Sequence, residues 1–129
     1  MANSNLNLGY VTARYIYTDG VTVASQTLAT TSKLPIGAAP TRVSIVTRGQ
    51  VNSSGGNATI TVTAGGKTIS SAIAEAKMDA AGYVYTENCP EGAAIVTTSN
   101  ADIGVNVGTS ALTGSSADLD IIVEYALIG

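Results

Sequence analysis

Apolar and polar residues alternate over several short stretches of this 129-residue chain, a two-residue period typical of β-strands with one buried face. The alternation is clearest in residues 41–48, 58–64, 102–108 and 118–127. The last two stretches predict inward-pointing side chains at Ile103, Val105, Val107, Leu119, Ile121, Val123 and Tyr125. Residues 83–86 and 93–98 are shorter strand candidates. We predict an all-β fold, a β-sandwich or jelly-roll-like arrangement of about eight short antiparallel strands.

Turn residues separate these stretches. Asp19-Gly20 lies between strand-like runs at 9–18 and 21–28, and Asp-Gly in that position is a strong signal for a β-hairpin. Gly65-Gly66 predicts a second tight turn, directly after the 58–64 strand. Residues 71–79 are the one helical candidate, and so short a segment predicts a helical turn or an irregular crossover.

The chain changes character between residues 29 and 40, where Pro35 and Pro40 favour an extended linker or an edge-like segment. We therefore divide the chain into an N-terminal arm and β-hairpin extension, residues 1–40, and a β-sandwich domain, residues 41–129. An isolated hairpin is too small to be stable alone, so the extension must pack on its own domain or on a neighbour.

The residues available for a core are unusual, because the chain has no Phe and no Trp, and six Tyr are its only aromatic residues. Large aromatic side chains supply much of the packing energy in most domains. We therefore expect a thin core of aliphatic side chains and a domain that depends on neighbouring subunits. Only 12% of the residues are charged, which lowers the cost of packing one copy against another.

The candidates for contact with a partner lie in the first 17 residues. The polar opening contains Leu6 and Leu8, which we expect to add contact area when the arm binds a partner. Tyr10, Tyr15 and Tyr17 occupy both faces of the first predicted strand. Tyrosine is enriched at interfaces, so these three predict either an intersubunit contact or packing in the core and on the sheet surface.

The chain lacks the residues that most catalytic sites and zinc sites need. It has no His and one Cys, so Ser-His-Asp triads, Cys-His pairs and tetrahedral zinc sites are excluded. Cys89 lies among acidic residues, which disfavours a reactive thiolate. Carboxylate pairs exist, but Asp118 and Asp120 lie opposite Leu119 and Ile121, which predicts a solubilising role on the outer face. We predict no enzyme activity, no cofactor and no metal.

The distribution of charged and apolar residues excludes two classes of partner, nucleic acids and membranes. The formal net charge is −3 and the six basic residues are scattered, whereas a nucleic-acid footprint needs clustered positive charge. No apolar run reaches the ~18 residues of a membrane span. The N-terminal residues do not form a signal peptide, so we expect synthesis in the cytoplasm.

Several short segments resemble small structural proteins of tailed bacteriophage virions. They are PTRVSIVT at 40–47, ATITV at 58–62, MDAAGYV at 78–84 and ADLDIIVEY at 117–125, and they cover about residues 40–126. The resemblance implies a head decoration (cement) protein, or a related fibre or tail component. Decoration proteins of this size are often trimers seated where capsid subunits meet, and the family supplies no catalytic residues.

Two functions follow as expectations. The first is a capsid decoration protein on the virion surface, a homotrimer that binds the major capsid protein and stabilises neighbouring capsid subunits. The second is a carbohydrate- or receptor-binding β-module of a phage fibre or tail, with sites in the glycine-, serine- and asparagine-rich loops at 52–57 and 108–116.

Overall fold

The computed structural model describes residues 6–16, 25–27, 33–93, 95–96, 99–114 and 116–128. Within these ranges the chain forms β-strands and one 3₁₀ turn, Glu75–Lys77. The strands are β1 (Leu6–Ile16), β2 (Ser25–Thr27), β3 (Ala38–Gly49), β4 (Thr59–Ala64), β5 (Lys67–Thr68), β6 (Ile73–Ala74), β7 (Val84–Asn88), β8 (Ile103–Gly108) and β9 (Asp118–Ile128). No helix in the described part of the chain is long and apolar enough to cross a membrane.

The strands form two sheets in which every pairing is antiparallel. One has four strands in the order β1-β9-β3-β7. The other has the order β2-β8-β4-β5, and β6 also pairs with β4. The prediction of an all-β, sandwich-like fold is therefore confirmed.

One hydrophobic core takes side chains from both sheets, as the alternating pattern predicts. The side chains predicted to point inward from β8 and β9 are at most 2% exposed, and Tyr125 is half-buried against them. Tyr15 of β1 is completely buried and is among the largest core side chains. With no Phe or Trp in the chain, this tyrosine fills volume that aliphatic residues leave open.

The N-terminal strand pairs differently from the prediction. β1 lies beside β9 along its whole length, from Leu6 opposite Ile128 to Ile16 opposite Asp118. β2 lies in the other sheet and pairs with β8. The predicted hairpin is therefore wrong for residues 25–27, and its Asp19-Gly20 turn lies outside the described residues. β9 offers β1 an eleven-residue partner and a buried face, which outweighs a local turn signal.

The predicted boundary at residue 40 falls within β3. Residues on both sides of it belong to the same core: Val11 and Ala13 of β1 and Val43 and Ile45 of β3 are all buried in it, with β9 between the two strands. β1 packs on its own domain, which is one of the two arrangements expected for so small an extension.

The tight turn at Gly65-Gly66 is confirmed. It joins β4 to β5, with Ala64 opposite Lys67, and the two glycines have φ of +59° and +82°. A two-residue loop of this kind needs positive φ at both central positions, which glycine adopts without steric cost. The 71–79 segment forms the short strand β6 and the 3₁₀ turn, in agreement with a brief helical turn.

The predicted strand at 93–98 is wrong for the residues that the structure describes there, 93, 95 and 96, which lie in no strand. Val96 still forms two backbone hydrogen bonds at the start of β3. It accepts one from Gly37 N–H at 2.7 Å and donates one to Ala38 C=O at 3.0 Å. These two bonds pair both backbone groups of Val96 without a strand ladder.

Candidate interaction surface

The outer face of the four-stranded sheet is the main candidate surface, because it turns away from the core and carries large exposed apolar side chains. Leu8, Tyr10 and Ile16 of β1 are 59%, 64% and 51% exposed, and Val84 of β7 is 66% exposed. We call this surface the outer sheet face: the outward residues of β1, β9, β3 and β7. Exposed apolar groups that share one face are typical of an interaction site.

Two of the three arginines on the outer sheet face, Arg14 and Arg48, are paired with carboxylates across strands. Arg14 binds Asp118 through two hydrogen bonds of 2.9 and 2.6 Å, and Arg48 binds Asp120 at 2.6 Å. The hydrogen bond from Arg14 and its positive charge lower the pKa of Asp118. The predicted outward direction of Asp118 and Asp120 is confirmed, and both side chains are used for contacts within the sheet.

Glu124 of β9 forms a third polar link on this face. The Thr41 hydroxyl donates to its Oε1 at 2.8 Å, and the Tyr10 hydroxyl donates to its Oε2 at 3.0 Å. Both bonds lower the pKa of Glu124, and the bond between Tyr10 and Glu124 raises the pKa of Tyr10. The contact holds the Tyr10 ring on the sheet surface, so an exposed aromatic group has a fixed position.

The structure separates the five residues predicted to contact a partner. Leu8 and Tyr10 lie on the outer sheet face. Tyr15 has its side chain in the core, so its prediction as a partner contact is corrected in favour of core packing. Leu6 belongs to β1 and pairs with Ile128, but its side chain is not described, and Tyr17 lies outside the described residues.

Ile16 and Val84 are exposed apolar residues of this face that the sequence pattern did not single out. Both faces of β1 carry apolar residues, so alternation alone does not show which face is solvent-exposed. For Val84, the signal that was available is its place two residues after Gly82, near the start of a short predicted strand. Short strands at sheet edges leave their side chains exposed.

The two loops proposed for the alternative function lie side by side at one end of the sandwich. Each connects one sheet to the other, 50–58 from β3 to β4 and 109–117 from β8 to β9. Ser53 forms a bridge with Leu112, and Thr113 N–H donates to Asn52 C=O at 2.8 Å. The sequence predicted the loops separately, and their contact is a result of the topology.

A buried carboxylate supports the first of these loops. Glu75 of the 3₁₀ turn is 8% exposed and accepts a short hydrogen bond from the Ser53 hydroxyl, which itself accepts from Ala58 N–H at 3.1 Å. Glu75 N–H donates to Ala58 C=O at 3.0 Å. The segment that the sequence marked as a helical turn thus fixes the base of the loop.

Cys89 is half-buried and packs against the hydrophobic core. Burial, followed by the negative charges of Glu87 and Glu124, raises its pKa to about 11. Glu87 behaves oppositely: burial would raise its pKa, but hydrogen bonds from Ser71 and Tyr85 outweigh it and lower the pKa. In the described ranges, no group of three or more Cys, Asp or Glu is placed to hold a metal ion.

No family model matches the chain, and no curated protein is similar to it in sequence. Solved structures do share its fold. A chain of the cyanophage Pam1 capsid asymmetric unit aligns with a TM-score of 0.63 and 20% identity, covering 95% of this chain and 85% of that one. A chain of the capsid of Ralstonia phage GP4 gives 0.59 and 19%, covering 94% and 84%. One from the acid-stable capsid of Helicobacter pylori bacteriophage KHP30 gives 0.52 and 16%, covering 95% and 89%. At these low identities the similarity shows a common fold, and this chain shares that fold with chains from three phage capsids.

Proposed function

We propose that the protein is a structural component of a bacteriophage virion and, more specifically, a capsid decoration (cement) protein. In this role it sits on the capsid surface, binds the major capsid protein and stabilises neighbouring capsid subunits. The observation that carries the proposal is the common fold with chains of three phage capsids over nearly the whole length of both partners.

The outer sheet face has properties that suit such a contact. Arg14 and Arg48 are already neutralised by carboxylates on the same face, so covering them costs less than burying unpaired charges. Leu8 and Tyr10 supply exposed apolar area, and the hydrogen bond to Glu124 restricts Tyr10 before binding. Rings fixed in advance lose little entropy on association.

Self-association as a homotrimer is part of the same proposal. A core without Phe or Trp and a surface with few charges both favour contacts between copies. A trimer seated where capsid subunits meet would bring three outer sheet faces to one position on the particle.

The test is a reconstitution on stripped particles. Capsids from which the protein has been removed are heated with and without added wild-type chain, and release of DNA is followed by dye fluorescence. Added protein should raise the temperature at which DNA is released. An unchanged release temperature would contradict the decoration role.

Two matched variants localise the contact. Leu8→Ser combined with Tyr10→Ser removes apolar area from the outer sheet face and should weaken both binding and stabilisation. Ile95→Ser removes a similar exposed side chain from a loop elsewhere and should leave both unchanged. Equal behaviour of the two variants would place the contact outside this face.

The adjacent loops at 52–57 and 108–116 favour a second candidate, a carbohydrate- or receptor-binding module of a phage fibre or tail. Ser110 donates to Asn57 across the loop pair, so hydroxyl and amide groups converge at one end of the molecule. Glycan arrays and host-cell binding test this candidate directly. Binding that is lost in Asn57→Ala, together with no effect on capsids, would replace the decoration role.

A further inference from the structure

Strand β7 is an edge of the four-stranded sheet: it pairs with β3 on one side, and no described strand pairs with its other side. Two hydrogen bonds at its ends show which backbone groups face β3. Thr47 N–H donates to Tyr83 C=O at 2.8 Å, and Cys89 N–H donates to Thr41 C=O at 2.9 Å. Because the direction of these groups alternates along an antiparallel strand, residues 83, 85, 87 and 89 face β3. The N–H and C=O groups of Val84, Thr86 and Asn88 therefore point away from the sheet, and no residue in the described ranges pairs with them.

This edge has few of the features that usually protect an open strand, and the carboxylate of its one charged residue, Glu87, is held by hydrogen bonds from Ser71 and Tyr85. The side chains of Val84, Thr86 and Asn88 are exposed and uncharged, and the strand contains no Pro and no Lys. The edge strand β5 of the other sheet differs, because it is only two residues long and begins with Lys67. An unprotected edge with free donors and acceptors is a template for pairing with another strand.

The open edge is complementary to itself. If two copies meet about a two-fold axis through Thr86, each Thr86 lies opposite the other, and Val84 lies opposite Asn88 of the second copy. All three outward-facing residues of each strand then exchange both of their backbone hydrogen bonds across the axis. Thr opposite Thr is a favourable cross-strand pair, and no like charges come directly opposite one another.

We propose that β7 binds β7 of a second copy, antiparallel and in the register centred on Thr86, so that two four-stranded sheets become one continuous sheet. A two-fold contact joins only two copies and cannot itself form a trimer. If the protein is a trimer, this contact would link one trimer to the next. The inference does not depend on the decoration role.

Complementarity is the reason for assigning a second copy as the occupant. A strand of a different protein would satisfy the same backbone groups, but it would have no reason to match an uncharged row centred on a threonine. A five-residue strand buries little area, so the contact is weak between free copies and becomes strong where many copies are held side by side.

The test uses the mass of the purified chain, measured by sedimentation over a wide concentration range. The wild-type chain is expected to form a species with twice the mass of the Thr86→Lys species, since the substitution places two like charges opposite each other. We expect Thr86→Lys to weaken this association about tenfold or more, less so in high salt. Ser54→Lys adds the same charge on an exposed loop and should associate like wild type.

A mixing experiment distinguishes self-pairing from pairing with another protein. Thr86→Lys and Thr86→Glu should each fail to double in mass alone and should associate when mixed, because opposite charges then meet at the axis. Thermal melting confirms that each variant is folded. The proposal would be overturned by a wild-type doubling in mass that Thr86→Lys leaves unchanged, by no doubling at any concentration, or by no doubling when the two variants are mixed.

Discussion

Single residues decide how closely neighbouring strands of one sheet can approach each other, and Gly49 at the end of β3 is the sharpest case. The register between β3 and β9 shifts between Thr47 and Gly49, which brings the chain close to the backbone before β9. A Cβ on Gly49 would lie 1.9 Å from the Ser116 carbonyl oxygen. Ser116 lies two residues before the paired end of β9, and its hydroxyl donates to Gln50 C=O at 2.8 Å, so its backbone oxygen has little room to move and position 49 requires glycine.

We therefore expect Gly49→Ala to lower the free energy of unfolding by about 2–3 kcal/mol, as overpacking does in other proteins. Gly9→Ala is the matched control. A Cβ at Gly9 would also be close to a neighbour, at 2.5 Å, but that neighbour is the end of the Tyr125 side chain, which can rotate. Urea denaturation of both variants measures the difference. Equal losses would mean that the chain near Ser116 moves as easily as the tyrosine.

The Cys89 thiol is the second prediction at this scale. Its pKa of about 11, raised by burial and then by Glu87 and Glu124, leaves little thiolate near neutral pH. We expect the folded chain to react with iodoacetamide at pH 8 about a hundredfold more slowly than the urea-unfolded chain, because only the thiolate is nucleophilic. Mass spectrometry over time gives both rates. Similar rates would show that Cys89 is accessible and ionised in the folded protein.

Strands are the scale at which the sequence was most informative. Alternation located β3, β4, β8 and β9 and gave the inward residues of the last two, because burial of one face imposes a period of two on the side chains. It did not give the partners. Tyr10 and Glu124 are 114 positions apart, and no local pattern shows that their strands meet. Leu8 and Tyr10 could be named from the sequence as candidate partner contacts. The burial of Tyr15 could not be predicted, because it depends on how β1 pairs with β9.

The position of β1 at one edge of its sheet leads to a prediction at the scale of elements. Removing residues 1–16 would take Val11, Ala13 and Tyr15 out of the core and expose the β9 backbone along its length. We expect that truncated chain to aggregate or to lack a cooperative thermal transition. The control is the full-length Leu8→Ser and Tyr10→Ser variant, which changes only exposed side chains and should melt cooperatively. A folded, monomeric truncation would show that residues 1–16 are separable from the rest of the fold.

For the whole molecule, carboxylates with lowered pKa link stability to pH. The pKa values of Asp118, Glu124 and Glu87 are lower in the folded chain than the usual values of 3.8 and 4.5. The folded state therefore holds fewer protons on these groups than the unfolded state. Their stabilisation is complete above about pH 5 and is lost as the pH falls through the folded pKa values.

The melting temperature should accordingly fall between pH 6 and pH 3, as followed by circular dichroism. Asp118→Asn should show a shallower fall, because one of the linked groups no longer titrates and its bond to Arg14 is weakened at every pH. Arg14 and Asp118 are exposed, so salt should reduce their share of the effect. A melting temperature that is constant or rises on acidification would contradict this account.

The antiparallel pairing of β1 with β9 also fixes the direction in which additional sequence leaves the domain. Leu6 and Ile128 are opposite each other, so sequence attached directly before Leu6 or after Ile128 would start from the same end of the sandwich. The loop containing Gly55 and Gly56 follows the other end of β3. The length of the eleven-residue strand β9, roughly 35 Å, separates this loop from Leu6 and Ile128. A peptide inserted in this loop would project from the opposite end of the sandwich. One chain therefore offers two widely separated positions for attaching a peptide or domain.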